Sequence, residues 1–555
     1  MSMTPGGPAD GPEYLDGSGP AQSAPDNDNK KRLVALGAIV AGGAVVAGGA
    51  WAATSFFSTG AQPAEALPAS TVAYFSVDLD PSGGQKIEAI KTLRKFPGFV
   101  DEVDLQADDD LRERFFEEMT SSGECEGLDY DADVEPWLGS RAAMAMVDLG
   151  EDEPTPVGVV QTTDSGKAED GLGSLVDACG GGEDAEGDVG GWVVDGDWIV
   201  LAETKEIAQQ VVDAADGSTL AADASFGEWT GEAGDDGVMS VYVGKGVTKF
   251  LDELGVMGPM GGMGMMGTPG SPMDEGSWFA EEAPSEEEIP DELRQMIDDF
   301  DGMAATVRFD DGAVEIEYAM SNYQPDLTKY VDSRTGADMV AGLPDDTLAA
   351  FGLSLEEGWA GAMLDYVKAA LPEDSASIDE QLAQLEAETG LALPEDLETL
   401  LGEGLTVSLG AGLDPDAVAN GGPGEVPVGI RIDGDPDEIQ AVLDKIAAQA
   451  GPELADYLQV TEGDGYAVLA LQEGYRGDLE EGGSLGDSAA YAEVVEVDEA
   501  QSVLFVDFDA DNDWLVRLTG DSPEVSKNLE PLSAFGMSSW VDDDVVHGLF
   551  KLTTD

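Results

Sequence analysis

At 555 residues the chain is too long for one ordinary core, and its 42% hydrophobic content is enough to fill two or more packed interiors. Against 25 Lys and Arg stand 115 Asp and Glu, a formal net charge of -90. A field this negative repels nucleic acid and anionic headgroups, which excludes both as natural partners, and it suits a salty or exposed environment better than a cation store.

Residues 1–29 are rich in Pro, Gly, Asp and Asn and predict a disordered cytoplasmic tail. Lys30, Lys31 and Arg32 then precede an uncharged run, Leu33 to Phe57, long enough to cross ~30 Å of hydrocarbon as a helix. No basic residue follows until Lys86. The positive-inside rule therefore predicts one transmembrane helix over 30–57 in the cell membrane, with the N-terminus cytoplasmic and the bulk of the chain extracytoplasmic. A cleaved signal peptide is the rival reading, since Ala50-Trp51-Ala52 has a small-x-small pattern. The length of the apolar run and of the preceding tail favours the anchor.

After a linker over 58–65 the chain repeats itself. Leu67-Pro68-Ala69-Ser70-Thr71-Val72-Ala73-Tyr74-Phe75 returns as Leu343-Pro344-Asp345-Asp346-Thr347-Leu348-Ala349-Ala350-Phe351. Pro156-Val157-Gly158-Val159 returns as Pro427-Val428-Gly429-Ile430, and Trp198–Ala202 as Tyr466–Ala470. The preserved order predicts two tandem copies of one domain, 66–322 and 343–555, joined by a linker over 323–342. The first copy carries a Met-, Gly- and Pro-rich insert, 255–284, expected to be a mobile loop. Its methionines could form an adaptable apolar contact or a soft-metal site, but a loop with no ligand is favoured, and no His or Cys stands nearby to complete a copper-type site.

Within a copy, strand-like runs alternate with helical stripes. Val72–Val77 is β-rich, and Ile87, Ile90 and Leu93 keep helical spacing after a plausible N-cap at Ser82, so that stripe should face the core. Arg141–Leu149 with 157–161, and Gly191–Val194 with Trp198–Ala202, read as paired strands; Ile207–Ala215 and Ile439–Ala448 read as helices. Helix and strand mix without a βαβ beat, which predicts α+β: two tandem copies of a largely antiparallel sheet with helices, after one transmembrane helix.

The start Leu67-Pro68-x-x-Thr71-x-Ala73-Tyr74, running into Asp78-Leu79-Asp80-Pro81-Ser82-Gly83-Gly84-Gln85-Lys86, carries a resemblance. With the upstream apolar run it resembles an uncharacterised actinobacterial family of single-pass, membrane-anchored extracytoplasmic proteins, a domain of unknown function. The resemblance implies location and architecture and no activity.

Chemistry is thinly marked. His547 is the single histidine and sits in a terminal strand pattern, too little for a histidine-dependent triad or zinc site. Cys125 and Cys179 are the only cysteines and, outside the membrane, are expected to form a disulfide. Carboxylate ladders at Asp507-x-Asp509-x-Asp511-x-Asp513, Asp78-x-Asp80 and Asp129-x-Asp131-x-Asp133-x-Glu135 lack the glycine or the twelfth-position glutamate of a calcium loop. No cofactor or metal is expected. Lys86, Lys91, Arg94 and Lys95 gather basic charge on one helix; they could receive an anionic partner, although pairing with acids of the same chain is favoured.

The reading is therefore a membrane-anchored, non-enzymatic binding or scaffold module of the cell envelope, with an envelope polymer or protein as partner. An envelope carrier or sensor, holding an apolar ligand or cations between the repeats, is the alternative. A carboxylate-based hydrolase is third.

Overall fold

The computed structural model describes residues 62–555 except 79–83, 104–109, 111, 115, 117–119, 121–127, 180–189, 236, 251–290, 311, 323, 332, 371–374, 415–421, 451–456, 464, 497–499, 519–522 and 543. Among the described residues the first half of the chain supplies β1 (Thr71–Asp78), β2 (Leu138–Val147), β3 (Thr155–Thr162), β4 (Gly191–Asp195), β5 (Trp198–Ala202), β6 (Met239–Gly244), β7 (Gly302–Asp310) and β8 (Ala313–Ser321). The second half supplies β9 (Ala349–Ser354), β10 (Gly404–Leu409), β11 (Val428–Ile432), β12 (Thr461–Gly463), β13 (Tyr466–Ala470), β14 (Ser502–Asp507), β15 (Leu532–Asp542) and β16 (Val545–Thr554).

All sixteen join one sheet in the order β12-β13-β11-β10-β9-β14-β15-β16-β8-β7-β6-β1-β2-β3-β5-β4. Every described pair is antiparallel. The order is a palindrome: each strand of the first half has its counterpart at the mirrored place in the second. The seam is β8 against β16, where Ala313 pairs with Thr553 and Ser321 with Val545. The two equivalent strands thus meet about a local two-fold axis, as in an isologous dimer fused into one chain.

This corrects the expected fold. The two copies share one sixteen-stranded sheet rather than each carrying its own, because β8 and β16 satisfy one another's edges. Nor is a membrane-spanning helix found: among the described residues no helix is long and apolar enough to cross a membrane. The apolar run 33–57, on which that expectation rested, lies outside the described residues.

The strands alternate as a half-buried sheet requires. In β1 Val72, Tyr74, Ser76 and Asp78 are buried while Ala73, Phe75 and Val77 are half-exposed. The buried face is covered by the helices Lys205–Ala215 and Ala224–Glu232 in the first half. Thr335–Ala341, Glu473–Glu481 and Ala489–Val494 cover it in the second. Thr204 starts the first of these, its side chain accepting the Ile207 N–H, and Ala208, Val211, Val212 and Ala215 pack down at helical spacing. Asp223 starts the second by accepting from the Ser225 and Phe226 N–H groups.

On the other face, coverage is local. The helix Gly84–Leu93 sets Ala89 over Val307, Phe309 and Val314, and Ser165–Cys179 and Pro436–Ala450 cover the two outer ends. The expected core stripe of Gly84–Leu93 is half right: Ile90 is buried, but Ile87 is 48% exposed, because buried Ala89, Ile90 and Thr92 set the helix's inner side. Ser82 lies outside the described residues.

Candidate functional site

Between those helices the second face carries an unbroken cross-strand row. Val407 of β10 pairs with Phe351 of β9, Phe351 with Leu504 of β14, and Leu504 with Met537 of β15. Met537 pairs with Phe550 of β16, and Phe550 with Ile316 of β8. Directly opposite residues share a face, so six apolar side chains form a ladder over six adjacent strands and across the seam. The inner four are half-exposed, and the ends are open, Val407 at 38% and Ile316 at 40%. Tyr318, the counterpart of Phe550 about the two-fold, lies 6.0 Å from it, centroid to centroid, and its ring fills the place a side chain at Gly548 would take.

One end of these strands is acidic. Glu356 and Glu357 follow β9, Glu403 precedes β10, and Asp542 and Asp544 flank the β15–β16 turn. All five are exposed, and none is ion-paired among the described residues. The sequence hid this arrangement. Strands such as Ala349–Ser354 and Ser502–Asp507 are apolar at both odd and even positions, which normally signals a sheet covered on both faces.

On the buried face the seam is charged. Glu315 accepts from Arg308 Nε at 2.6 Å and lies 2.9 Å from Lys551 Nζ, while Arg308 Nη2 lies 2.6 Å from Glu317. Burial alone would push the Glu315 carboxyl up, but the Lys551 hydrogen bond, with the charges of Lys551 and Arg308, holds it below the ordinary glutamate range. Burial likewise works against the Arg308 charge, and Glu317 and Glu315 more than offset it. At Gly234, with φ +83, any side chain would strike the Glu317 carboxylate. The place that Arg308 and Glu315 hold in the β7–β8 hairpin belongs in β15–β16 to Trp540 and His547. Those two rings are stacked, and His547 Nε2 comes within 3.8 Å of Glu232.

Further out, Arg431 is 2% exposed, donating from Nε and Nη2 to the Leu479 carbonyl and from Nη1 to the Gly342 carbonyl. Register sets it opposite Thr406, as Val159 stands opposite Ala143. That equates Val159 with Arg431, one residue off the sequence match of Gly158 with Gly429. A cleft of about 70 Å³ lined by Glu65, Asp195, Val200, Val212 and Asp216 is too small for a ligand pocket of ordinary size.

The residues singled out by sequence are not brought together. Lys91 donates to Glu88 at 2.7 Å within its own helix. Lys95 donates to the Thr554 carbonyl at 2.9 Å and hydroxyl at 2.8 Å, fastening the helix to the last strand. Arg94 is exposed, and the side chain of Lys86 lies outside the described residues. Cys125, the Cys179 side chain and the insert 255–284 also lie outside them. The carboxylate ladders are engaged locally: Asp129 accepts from the Ala132 N–H and Asp133 from the Asp129 N–H. Asp511 pairs with Arg517, and Asp78 with Arg141. Burial raises Asp507, although the N–H groups of Ala510 and Asp509 act against it. Among the described residues no three His, Cys, Asp or Glu converge as ligands for a metal.

Comparison with curated proteins and with solved structures finds no significant match. A family described as "Protein of unknown function (DUF3352)" matches residues 34–409, which takes in the first repeat and the second as far as the end of β10. The chain belongs to the DUF3352 family.

Proposed function

We propose that the chain is a non-enzymatic binding or scaffold module of the cell envelope, and that it binds through the apolar ladder on the open sheet face. The observation that carries this reading is the row Val407, Phe351, Leu504, Met537, Phe550 and Ile316, continuous in register and open at both ends. A contiguous, partly exposed apolar row of this length marks an interaction site. The extracytoplasmic location belongs to the same proposal. It is supported by the charge of -90 and by Lys30, Lys31 and Arg32 standing ahead of an apolar run.

The test is an environment-sensitive apolar dye added to the native full chain and to an Ile316→Ser, Val407→Ser variant. Dye emission should rise with the native chain and fall by more than half in the variant, with far-UV circular dichroism unchanged. Equal emission from the two would remove the ladder as the binding surface.

A further inference from the structure

We infer that the ladder seats an amphipathic helix of a partner protein, basic along the flank that meets the acidic strand ends. The inference rests on the binding-module reading above and adds the class of partner.

Length is the first argument. Val407 and Ile316 are five strand spacings apart in the sheet order. At ~4.8 Å per spacing the ladder is about 24 Å long. A helix rises 1.5 Å per residue, so one of about sixteen residues spans the row from end to end.

Side-chain chemistry is the second. The middle of the row is Phe351, Leu504, Met537 and Phe550, long or aromatic groups that re-pack around a partner, with β-branched Val407 and Ile316 as stiff ends. Such a surface accepts the i, i+3, i+4, i+7 anchors of an apolar helix stripe.

Charge is the third, and it discriminates among occupants. Glu356, Glu357, Glu403, Asp542 and Asp544 line one end of the strands that bear the ladder, exposed and without ion-pair partners among the described residues. A second copy of this chain would bring another -90 against the first. An anionic bilayer is repelled in the same way. A helix with Lys or Arg beside its apolar stripe gains from both features, and the acids would also speed its approach.

The experiment is fluorescence anisotropy with the full chain and a labelled Leu/Lys peptide of about sixteen residues patterned as an amphipathic helix. A scrambled peptide of the same composition controls for attraction to a polyanion, at about 0.15 M salt. The patterned peptide should bind about tenfold tighter than the scrambled one, and Ile316→Ser with Val407→Ser should abolish that preference. Equal binding of the two peptides overturns the inference, and so does a preference that survives in the variant. Preferential capture of lipid vesicles, or dimerisation of the chain that the variant abolishes, overturns it in favour of those occupants. Dye binding that the variant loses, without any preference between the peptides, sinks the helix and leaves the ladder as a binding surface.

Discussion

Trp540 and His547 stack with ring planes 7° apart and centroids 5.2 Å apart, on the two positions that an arginine–glutamate pair holds in the other repeat. One backbone geometry therefore supports two chemistries: a flat aromatic contact on one side of the two-fold, a buried ion pair on the other. His547 is 7% exposed, so the stack is largely dry. Replacing His547 by Ala should cost about 1–2 kcal/mol in urea unfolding, from lost ring contact and burial. The pair Trp540→Arg with His547→Glu copies the first repeat, and its cost should fall short of the summed single costs by about 1 kcal/mol or more in a double-mutant cycle. Additive costs would show that the two positions do not act as a unit.

Glu315 gives the seam a pH dependence with a definite sign. Its carboxyl is held below the ordinary range in the fold. It therefore stabilises the fold above the ordinary glutamate pKa of about 4.3, and that contribution is lost as pH falls through the folded value. Lys551→Met removes the leading favourable partner and leaves burial, which raises the folded value. The variant should lose about 2–3 kcal/mol at neutral pH, below the cost of breaking a fully isolated pair because Arg308 remains. Its further loss on acidification should be smaller than in the native chain, because a folded value raised toward the unfolded one leaves less stability to lose. Urea midpoints measured from about pH 7 down to about pH 2.5 read both effects.

Local structure was the legible part of the sequence. Trp198–Ala202 and Lys205–Ala215 announce themselves by β-branched density and by Thr204 ahead of an apolar stripe. The repeat was legible too, because Leu67 and Leu343 each open the same order of elements. The union of the repeats was not. Nothing in Ala313–Ser321 or Val545–Thr554 says which edge it will meet, since edge pairing uses backbone groups that every strand carries. The one clue was electrostatic. Pairing β8 with itself in the seam register would set Glu317 against Glu317, whereas β16 offers Leu549 there and Lys551 opposite Glu315. The ladder was illegible for a related reason, because Val407 and Ile316 are neighbours only through four strands that lie between them in the sheet.

The basic helix separates by position. Lys91 pairs with Glu88 at 2.7 Å, but its side chain is 60% exposed. Lys91→Gln should change stability by no more than about 0.5 kcal/mol, as for other exposed helix pairs. Lys95 makes two hydrogen bonds to Thr554 at the end of the final strand, so Lys95→Gln should cost about 1–2 kcal/mol. It should also speed amide exchange at the C-terminal end of β16. Comparable small effects from both variants would mean that the helix is not fastened to the strand in solution.

Arg431 makes the sharpest prediction about the second repeat. It is a charge at 2% exposure whose guanidinium serves the Leu479 and Gly342 carbonyls and lies 5.7 Å from the Tyr466 ring. Leu479 closes the helix Glu473–Glu481 near its C-terminal end, and Gly342 caps Thr335–Ala341, so one side chain ties two helix ends to the centre of β11. Helix C-terminal carbonyls are the groups a cation serves best. Arg431→Met keeps the packing volume and removes the donors, leaving the Leu479 carbonyl unserved at about 1–3 kcal/mol, while the Gly342 carbonyl keeps the Gly483 N–H. Arg431→Lys keeps the charge but cannot reach both carbonyls with the planar fork, so it should fall between Met and native. Urea unfolding should therefore rank the stabilities native, Lys, Met, with Met lower than native by about 2–3 kcal/mol. A Met variant within about 1 kcal/mol of native would show that water or a shifted helix end satisfies the Leu479 carbonyl, and that Arg431 does not hold the second repeat together.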